Sequence, residues 1–330
     1  FVEGILGNHR LTKSYLFLSD REKSAIDVNI RKDGYYKDFS PFWGLVNQEW
    51  PKSSHKNCKW SAEVTEYDTY GNAIEERDLL DRYSANQLGY NNTLVVASAT
   101  NSKLQNFGAE NFEDHDYFTN TCEEPHFSFV KTPITLSDYA HTGTKSVEVK
   151  SNSNIKLTKS ISFSKSQTLQ VPYRLSVPAD YISGYNPDNT TSVLSAWVKV
   201  VSKDAKFSFS DDAKITVAGK ILKPSGSIID GWQKISGEFI IPNSGLNIML
   251  HNISNNQVYF DDLRVEPINA SVKSYVYHPV SLRLMAVLDE NNYATFYEYD
   301  LEGNLIRVKK ETERGIKTIK ETNQHLRSGL

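Results

Sequence analysis

The 330-residue chain is poor in several things, and each shortage closes off a class of function. It has only two cysteines, Cys58 and Cys122, and neither sits in a CxxC pair, so a thiolate zinc site has no support. Their spacing leaves two readings open: one disulfide in an oxidising compartment, or two buried thiols. There is no surplus of positive charge, since 37 Lys and Arg stand against 40 Asp and Glu, a net charge of −3. A chain without a basic excess has little with which to neutralise a phosphate backbone, which argues against nucleic-acid binding. No apolar run approaches the roughly 18 residues a membrane-spanning helix needs. The chain opens FVEGILGNHR, with no Met, no basic stretch and no apolar signal core. The expectation is therefore a fragment or processed product, for which a missing signal peptide says nothing about destination.

Catalytic spacings are absent as well. There is no GxSxG elbow, no P-loop, no HxxEH-like pair and no DxDxDG loop. The cluster EDHD at Glu113 to Asp116, with His126, His141 and His251, invites a metal or acid/base reading. With no helix to set two histidines on one face, surface positions are expected for them instead. Asp211 with Asp212, and Asp261 with Asp262, are adjacent pairs placed in strands. Alternation sends such neighbours to opposite sides of a sheet, so neither pair is expected to face itself across a cleft. No catalytic set emerges, and the chain is read as non-enzymatic.

What is abundant is the palette of pleated, turn-rich structure: 18 Tyr and 15 Phe against two Met. The fold class is all-β. Residues 1–105 read as irregular β, with turn phrases LGNH, KDGYY and DTYGN and an extended TLVVASAT at Thr93 to Thr100. EERDLLDRYSANQL, Glu75 to Leu88, is the one stretch with helical promise. Residues 106–267 change style to short alternating runs, among them TKSVEVK, SVLSAWVKVV, AKITVAG, WQKISGEFII and QVYFDDLRVEP. So many short strands in one stretch predict a two-sheet sandwich. Residues 268–330 return to hairpins divided by DENN, LEGN and ERG, with a frayed tail NQHLRSGL. The run RVKKETERGIKTIKE alternates in sign and reads as the solvated side of these hairpins.

One phrase occurs twice, as YDTYGN at Tyr67 to Asn72 and YDLEGN at Tyr299 to Asn304. Gly71 and Gly303 stand where a turn needs positive φ, Asn72 and Asn304 tolerate the same neighbourhood, and Tyr67 and Tyr299 offer flat plates to a neighbouring hairpin. The two phrases, with Tyr67, Asp68, Gly71 and Asn72 matched by Tyr299, Asp300, Gly303 and Asn304, resemble the YD repeat of the Rhs and teneurin-like superfamily. In that family hairpins spiral into a β shell. The closing SYVYHPVSLRLMAVLDENNYATFYEYDLEGNLIRV and the earlier LGYNNTLVVASATNSK resemble the C-terminal end of large YD-repeat surface proteins of Bacteroidetes-type bacteria. That resemblance implies an exported or cell-surface protein carried by a type IX secretion route.

The middle stretch is similar to carbohydrate-binding jelly rolls through NFEDHDYF, HTGTKSVEV, SAWVKV, DGWQKISGEFIIP and VYFDDLRVEP. The resemblance implies a jelly roll inserted between YD hairpins, with its two ends close together. It also implies a structural calcium held by Glu113 and Asp261, with backbone carbonyls near Thr142 or Thr144; the alternative is that these acids cap turns or pair with lysines. No other cofactor is expected. Alternation places Trp197 opposite Leu194, Ala196, Val198 and Val200, and Trp232 opposite Ile235, Phe239 and Ile241. Both indoles then lie on polar faces, either as stacking platforms for a sugar or as anchors covered by the hairpins. Tyr181 and Tyr185 in ADYISGYNPD are further candidates. The partner expected is a glycan or a surface or secretion-system protein, with a toxin-shell segment, a glycosidase accessory region and a docking tail as rival roles.

Overall fold

The computed structural model describes residues 10–17, 58–68, 70–114, 127–129, 134–159, 191–201, 207–242 and 245–322. Among them the chain is strand and turn, with two short 3-10 turns and no α-helix. In chain order the strands are β1 (Lys13–Phe17), β2 (Cys58–Tyr67), β3 (Ala73–Asp78), β4 (Tyr83–Gly89), β5 (Leu94–Thr100), β6 (Gly108–Glu110), β7 (Ser128–Phe129), β8 (Thr135–Ser137), β9 (Ser146–Val149), β10 (Ser153–Lys159) and β11 (Thr191–Val200). They continue as β12 (Ala213–Val217), β13 (Lys220–Leu222), β14 (Pro224–Ile229), β15 (Trp232–Ile240), β16 (Leu246–Asn252), β17 (Val258–Pro267), β18 (Ser271–Tyr277), β19 (Leu284–Leu288), β20 (Ala294–Tyr299), β21 (Leu305–Thr312) and β22 (Gly315–Glu321).

The two ends of the chain build one ten-stranded antiparallel meander, ordered β1-β2-β3-β4-β5-β18-β19-β20-β21-β22. Every neighbour in it is also a neighbour in sequence, except where β5 meets β18. There Thr100 stands opposite Ser271, and Asn101 Nδ2 donates to Asn269 O at 2.9 Å. The chain thus leaves the meander at a hairpin tip and returns to the same tip some 170 residues later. The described residues between form a sandwich of a five-stranded sheet, β13-β12-β16-β10-β7, on a sheet ordered β14-β15-β11-β17-β9-β8 with β6 added beside β17.

Period-two alternation fills the sandwich. Leu194, Ala196, Val198 and Val200 from β11 meet Ile215, Val217, Ile248 and Leu250 from the opposite sheet, closed by Phe112, Phe209, Phe239 and Phe260. Burying each such side chain contributes about 1.5–3 kcal/mol. The meander has a different inner face, made of Ala85, Ala97, Ala99, Val272, Val276, Ala286, Leu288 and Ala294. These small residues let it lie close to the sandwich. Gln87 uses that closeness, donating from Nε2 to Ala109 O at 2.7 Å and accepting from Ala109 N at 3.0 Å.

Four hairpin ends of the meander share one turn. At each, an Asp N–H donates to the carbonyl four residues on, and the Asp carboxylate accepts that residue's N–H. The pairs are Asp68 with Asn72, Asp78 with Arg82, Asp289 with Tyr293 and Asp300 with Asn304. The residue before the last is left-handed in all four: Gly71 at φ 90°, Asp81 at 56°, Asn292 at 62° and Gly303 at 94°. An Asp that bonds its own turn is the physical content of the repeated phrase.

The two YD copies match further than the phrase itself. Tyr67 OH donates to Leu11 O, and Tyr299 OH donates to Leu284 O at 2.9 Å. A Cβ at Gly71 would lie 2.0 Å from Arg10 Nη2, and one at Gly303 would lie 2.2 Å from Arg283 Nη2. An Arg-Leu pair, Arg10 and Leu11 just before β1 and Arg283 and Leu284 at the start of β19, therefore reads each turn. The helix anticipated at Glu75 to Leu88 is instead β3, the Asp78 turn and β4. Its 3.6-residue pattern gave way to cross-strand pairing, because Asp78 caps a turn in the middle of it.

Candidate functional site: the sandwich face beneath the hairpins

The outer face of the β11–β15–β17 sheet carries the residues singled out for binding, and the structure places them differently. Trp197 is 0% exposed and Trp232 is 3% exposed. Alternation put both on the non-core side correctly, but the Asp289 to Tyr293 turn of the meander lies over that side. Trp197 Nε1 donates to Asn292 O at 2.8 Å, and Tyr293 packs edge-on at 5.6 Å. Lys234 sits 4.8 Å over the Tyr293 ring and donates to Asn291 O. Of the two readings of these indoles, the open sugar platform is corrected and the covered anchor agrees with the geometry: they form an internal contact with Ile229 and Tyr259. Periodicity identifies a face but not what covers it, and the cover comes from the other half of the chain.

His141 is the centre of this contact, not a surface residue as its scattered neighbours suggested. Its ring stacks on Trp197 at 4.3 Å and 17°, with the edge of Trp232 at 5.6 Å. Nδ1 lies 2.7 Å from Asp262 Oδ2 on β17, and Nε2 lies 2.9 Å from Glu311 Oε1 on β21. Burial works against charge on this ring, but the hydrogen bonds and charges of Asp262 and Glu311 outweigh it and hold the pKa up at about 9. At neutral pH the ring is a cation with both N–H groups engaged, lying against an indole face. Glu311 also accepts from Ala294 N at 3.0 Å. The charge run around it reads as solvated, yet this one acid is 1% exposed.

A bulge makes this geometry. Trp197 pairs with Asp261 and Ser195 with Arg264, so β17 carries one extra residue there, and Asp262 is left-handed at φ 48°. Strict alternation would part Asp261 from Asp262. The bulge instead turns both to the loop at 141–142: Asp261 Oδ2 accepts from His141 N at 2.7 Å and Thr142 N at 3.4 Å, while Asp262 accepts from Thr142 Oγ1 at 2.8 Å. The expectation that this pair points to opposite sides is overturned. The other pair is not in a strand at all, since Asp211 ends the 3-10 turn Phe209–Asp211 and Asp212 caps it.

Glu113 grips the far end of the same loop, accepting from Thr144 N, Thr144 Oγ1 and Lys145 N. Burial raises its pKa to about 7 against the pull of those bonds, and burial with the neighbouring Asp262 raises Asp261 well above the ordinary range. The two acids assigned to calcium thus flank one loop, 141–145. Among the described residues no three His, Cys, Asp or Glu side chains are placed to share an ion.

Further contacts tie the sandwich to the meander. Arg264, 1% exposed, donates to Val272 O, Asp289 O and Glu290 O at 3.2, 2.7 and 2.6 Å. Asn292 Nδ2 donates to Asp262 O at 2.9 Å. The two ring contacts of His141 join residues 121 and 170 positions apart in sequence, and no motif announces them. At the margin of the covered face one aromatic stays open: Tyr139, 53% exposed, leans on Tyr259 at 5.3 Å with Lys199 Nζ 5.8 Å from its ring. Sequence reasoning passed over it because SDYAH gives no period to read. Tyr181, Tyr185, His126 and Cys122 lie outside the described residues. On the meander, a shallow pocket of about 320 Å³ is lined by Arg77, Arg82, Asp78 and Tyr83. Its charges are answered internally, by Glu63 for Arg77 and Asp78 for Arg82.

No protein-family model matches the chain, and no curated protein matches it. Among solved structures, its neighbours include carbohydrate-binding modules at low similarity. The CBM22-1 xylan-binding domain of Paenibacillus barcinonensis Xyn10C is 12% identical, over 48% of this chain and 92% of that one, with a TM-score of 0.29. The CBM22-1 and GH10 modules of Clostridium thermocellum xylanase 10B, complexed with xylohexaose, are 12% identical over 42% and 25%, with a TM-score of 0.27. The C-terminal family 22 module of the same enzyme is 10% identical over 50% and 86%, with a TM-score of 0.22. Scores this low carry no argument about function. The all-β architecture stands on the strands themselves.

Proposed function

We propose that the chain is a non-catalytic presentation scaffold of an exported, YD-repeat-type surface protein, in which a hairpin sheet holds a glycan- or protein-binding sandwich at a fixed angle. The observation that carries this reading is the His141 bridge. One buried imidazole joins Asp262 of the sandwich to Glu311 of the meander, with both ring nitrogens occupied. Groups so engaged serve to fix position and are closed to substrate, and a fixed sandwich contacts a ligand without the entropy cost of ordering itself first. Because the tryptophans are spent internally, the aromatic that the margin of this face offers a sugar, among the described residues, is Tyr139, braced by Tyr259 with Lys199 alongside. The YD resemblance and the repeated Asp-headed turn support the surface-protein context.

The test is a glycan array probed with the whole chain. The reading predicts sugar signals that Tyr139→Ala lowers at least tenfold while leaving the circular dichroism unchanged. A chain that binds no glycan and captures no surface protein contradicts it. Calcium belongs to the same proposal: Glu113 and Asp261 would hold the ion with backbone carbonyls of the 141–145 loop. The surplus of buried acid around a single imidazolium supports it, and the ion would supply charge neutralisation and rigidity. Millimolar calcium should then raise the unfolding temperature, and EDTA should reverse the rise. No shift in either direction removes the ion from the account.

A further inference from the structure

Hairpin tips of the meander alternate between its two ends. At the end where the sandwich enters, between β5 and β18, the Asp289 to Tyr293 tip is covered by Trp197. At the other end two neighbouring tips, 278–283 between β18 and β19 and 300–304 between β20 and β21, lie two strand spacings apart, about 10 Å. Both are tightly bonded. In the first, His278 N donates to Arg283 O and Leu282 N donates to His278 O, each at 2.9 Å, and His278 Nδ1 accepts from Val280 N at 3.2 Å and Ser281 N at 3.1 Å. The second is the Asp300 turn. Neither bonding pattern calls for an aliphatic side chain at its apex, where turns ordinarily carry polar residues, Gly or Pro. Yet Val280 is 85% exposed, Leu301 is fully exposed, and Leu282 and Leu305 are exposed beside them. One exposed aliphatic residue is ordinary, but four on two adjacent tips make a patch that marks a contact.

What stands behind the apices indicates the partner. Arg283 comes first, 5.9 Å over the Tyr299 ring and so close to Gly303 that a Cβ there would lie 2.2 Å from its Nη2. Tyr277 and Tyr299 follow, each half-buried and each the last residue of its strand. The acids of the tips turn back: Asp300 accepts from Asn304 N and Nδ2, and Glu302 Oε2 lies 3.5 Å from Asn304 Nδ2. Aliphatic apex, then guanidinium, then tyrosine is the order in which a bilayer surface presents acyl chains, phosphate and the headgroup boundary. At the sandwich end the Asp78 turn also exposes Leu79 and Leu80, but its Arg82 is held by Asp78 and its neighbour toward β18 is the sandwich. No comparable pair of apices forms there among the described residues.

We infer that the tips 278–283 and 300–304 are a shallow docking site for a phospholipid bilayer: Val280, Leu282 and Leu301 enter the acyl boundary, Arg283 meets lipid phosphate, and Tyr277 and Tyr299 sit at headgroup level. Apices that project singly from two separate tips insert one by one into a soft surface, whereas a protein partner would need a fitted cavity for each. A guanidinium beside them matches the phosphate that every phospholipid carries. Three aliphatic side chains make such a contact weak and reversible, and they lie in the interface without spanning it. The site is at the opposite end of the sheet from the sandwich and stands or falls independently of the Tyr139 margin.

Flotation of the whole chain with small phosphatidylcholine vesicles tests this. The expected result is a floated fraction that survives about 0.5 M salt, because insertion rather than surface charge holds it, and that the double variant Val280→Asp, Leu301→Asp lowers about tenfold with an unchanged circular dichroism spectrum. Arg283→Gln should lower it about threefold. Depth is read separately: acyl chains brominated near the headgroup should quench the added fluorescence of Leu301→Trp and leave that of Leu79→Trp unchanged. Absence of flotation, equal flotation of the folded double variant, or equal quenching at both positions overturns the inference. So does sedimentation velocity without lipid that shows a dimer which the double variant dissolves, since the apices would then serve a second copy of the chain.

Discussion

The sandwich and the hairpin sheet are held together by different physics. The sandwich has an interior of large side chains from two facing sheets, Leu194, Ile215, Phe239 and Phe260 among them. The meander offers alanines on its inner face and depends on turns, ion pairs and contact with its neighbour. A single sheet with one shallow apolar face buries too little to offset its own ordering. The difference teaches that the sandwich is the stable body and the meander is completed by it, through Gln87, Arg264, Asn292 and the His141 bridge.

Three perturbations sharpen that contrast. The largest effect is expected from Phe239→Ala, fully buried between the sheets, which should cost about 3–5 kcal/mol. Urea unfolding followed by both fluorescence and circular dichroism should show one shifted transition, since the meander cannot outlast the body it rests on. Two separated transitions with the meander surviving would break the comparison.

The next effect is a pH dependence centred on the junction. His141 has a folded pKa of about 9, above its ordinary value, so its contribution is complete below about pH 6.5 and is lost as pH rises through 9. Glu113 at about 7 and Glu110 at about 8 are also raised, Glu110 by burial first and then by Asp114. For these acids the folded state likewise holds protons that the unfolded state releases. All three slopes have the same sign, so in EDTA buffer stability should fall between pH 5 and pH 9, by up to about 1.4 kcal/mol per pH unit for each proton. A urea midpoint that rises across this window contradicts the assignment. His141→Asn should flatten the upper part of the curve.

The smallest effect is expected from Gly303→Ala. A side chain there adopts an unfavourable φ and displaces the Arg283 guanidinium, a cost of about 1–2 kcal/mol. Hydrogen exchange should locate the loosening in β20 and β21, with the sandwich amides unchanged. Equal loosening across the sandwich would mean that the two regions are less distinct than their packing indicates.

Much of this fold was legible in the sequence, and the reasons are local. Alternation in SVLSAWVKVV and WQKISGEFII set the core faces of β11 and β15, and Asp68 and Asp300 with their glycines set two turns. The return of the same phrase after a stretch of different style pointed to an insertion, and the pairing of Thr100 with Ser271 shows where it enters. The rest depended on long-range geometry. Trp197 and Trp232 read equally as platforms or as covered anchors because their cover, Asn292 and Tyr293, lies about a hundred or sixty residues away in sequence. Asp261 and Asp262 were separated by a rule that one bulge suspends. His141 was one histidine among eight until a strand from the far end of the chain brought Glu311 to it.

The claim on which the account rests is that this imidazole couples the two regions. A double-mutant cycle with His141→Ala and Glu311→Ala, read by urea unfolding at pH 6, tests it most directly. Each single change should be destabilising, and the double variant should recover about 2 kcal/mol relative to their sum, because the second change no longer strands a buried charge. Strictly additive losses would show that the bridge does not couple sandwich and meander.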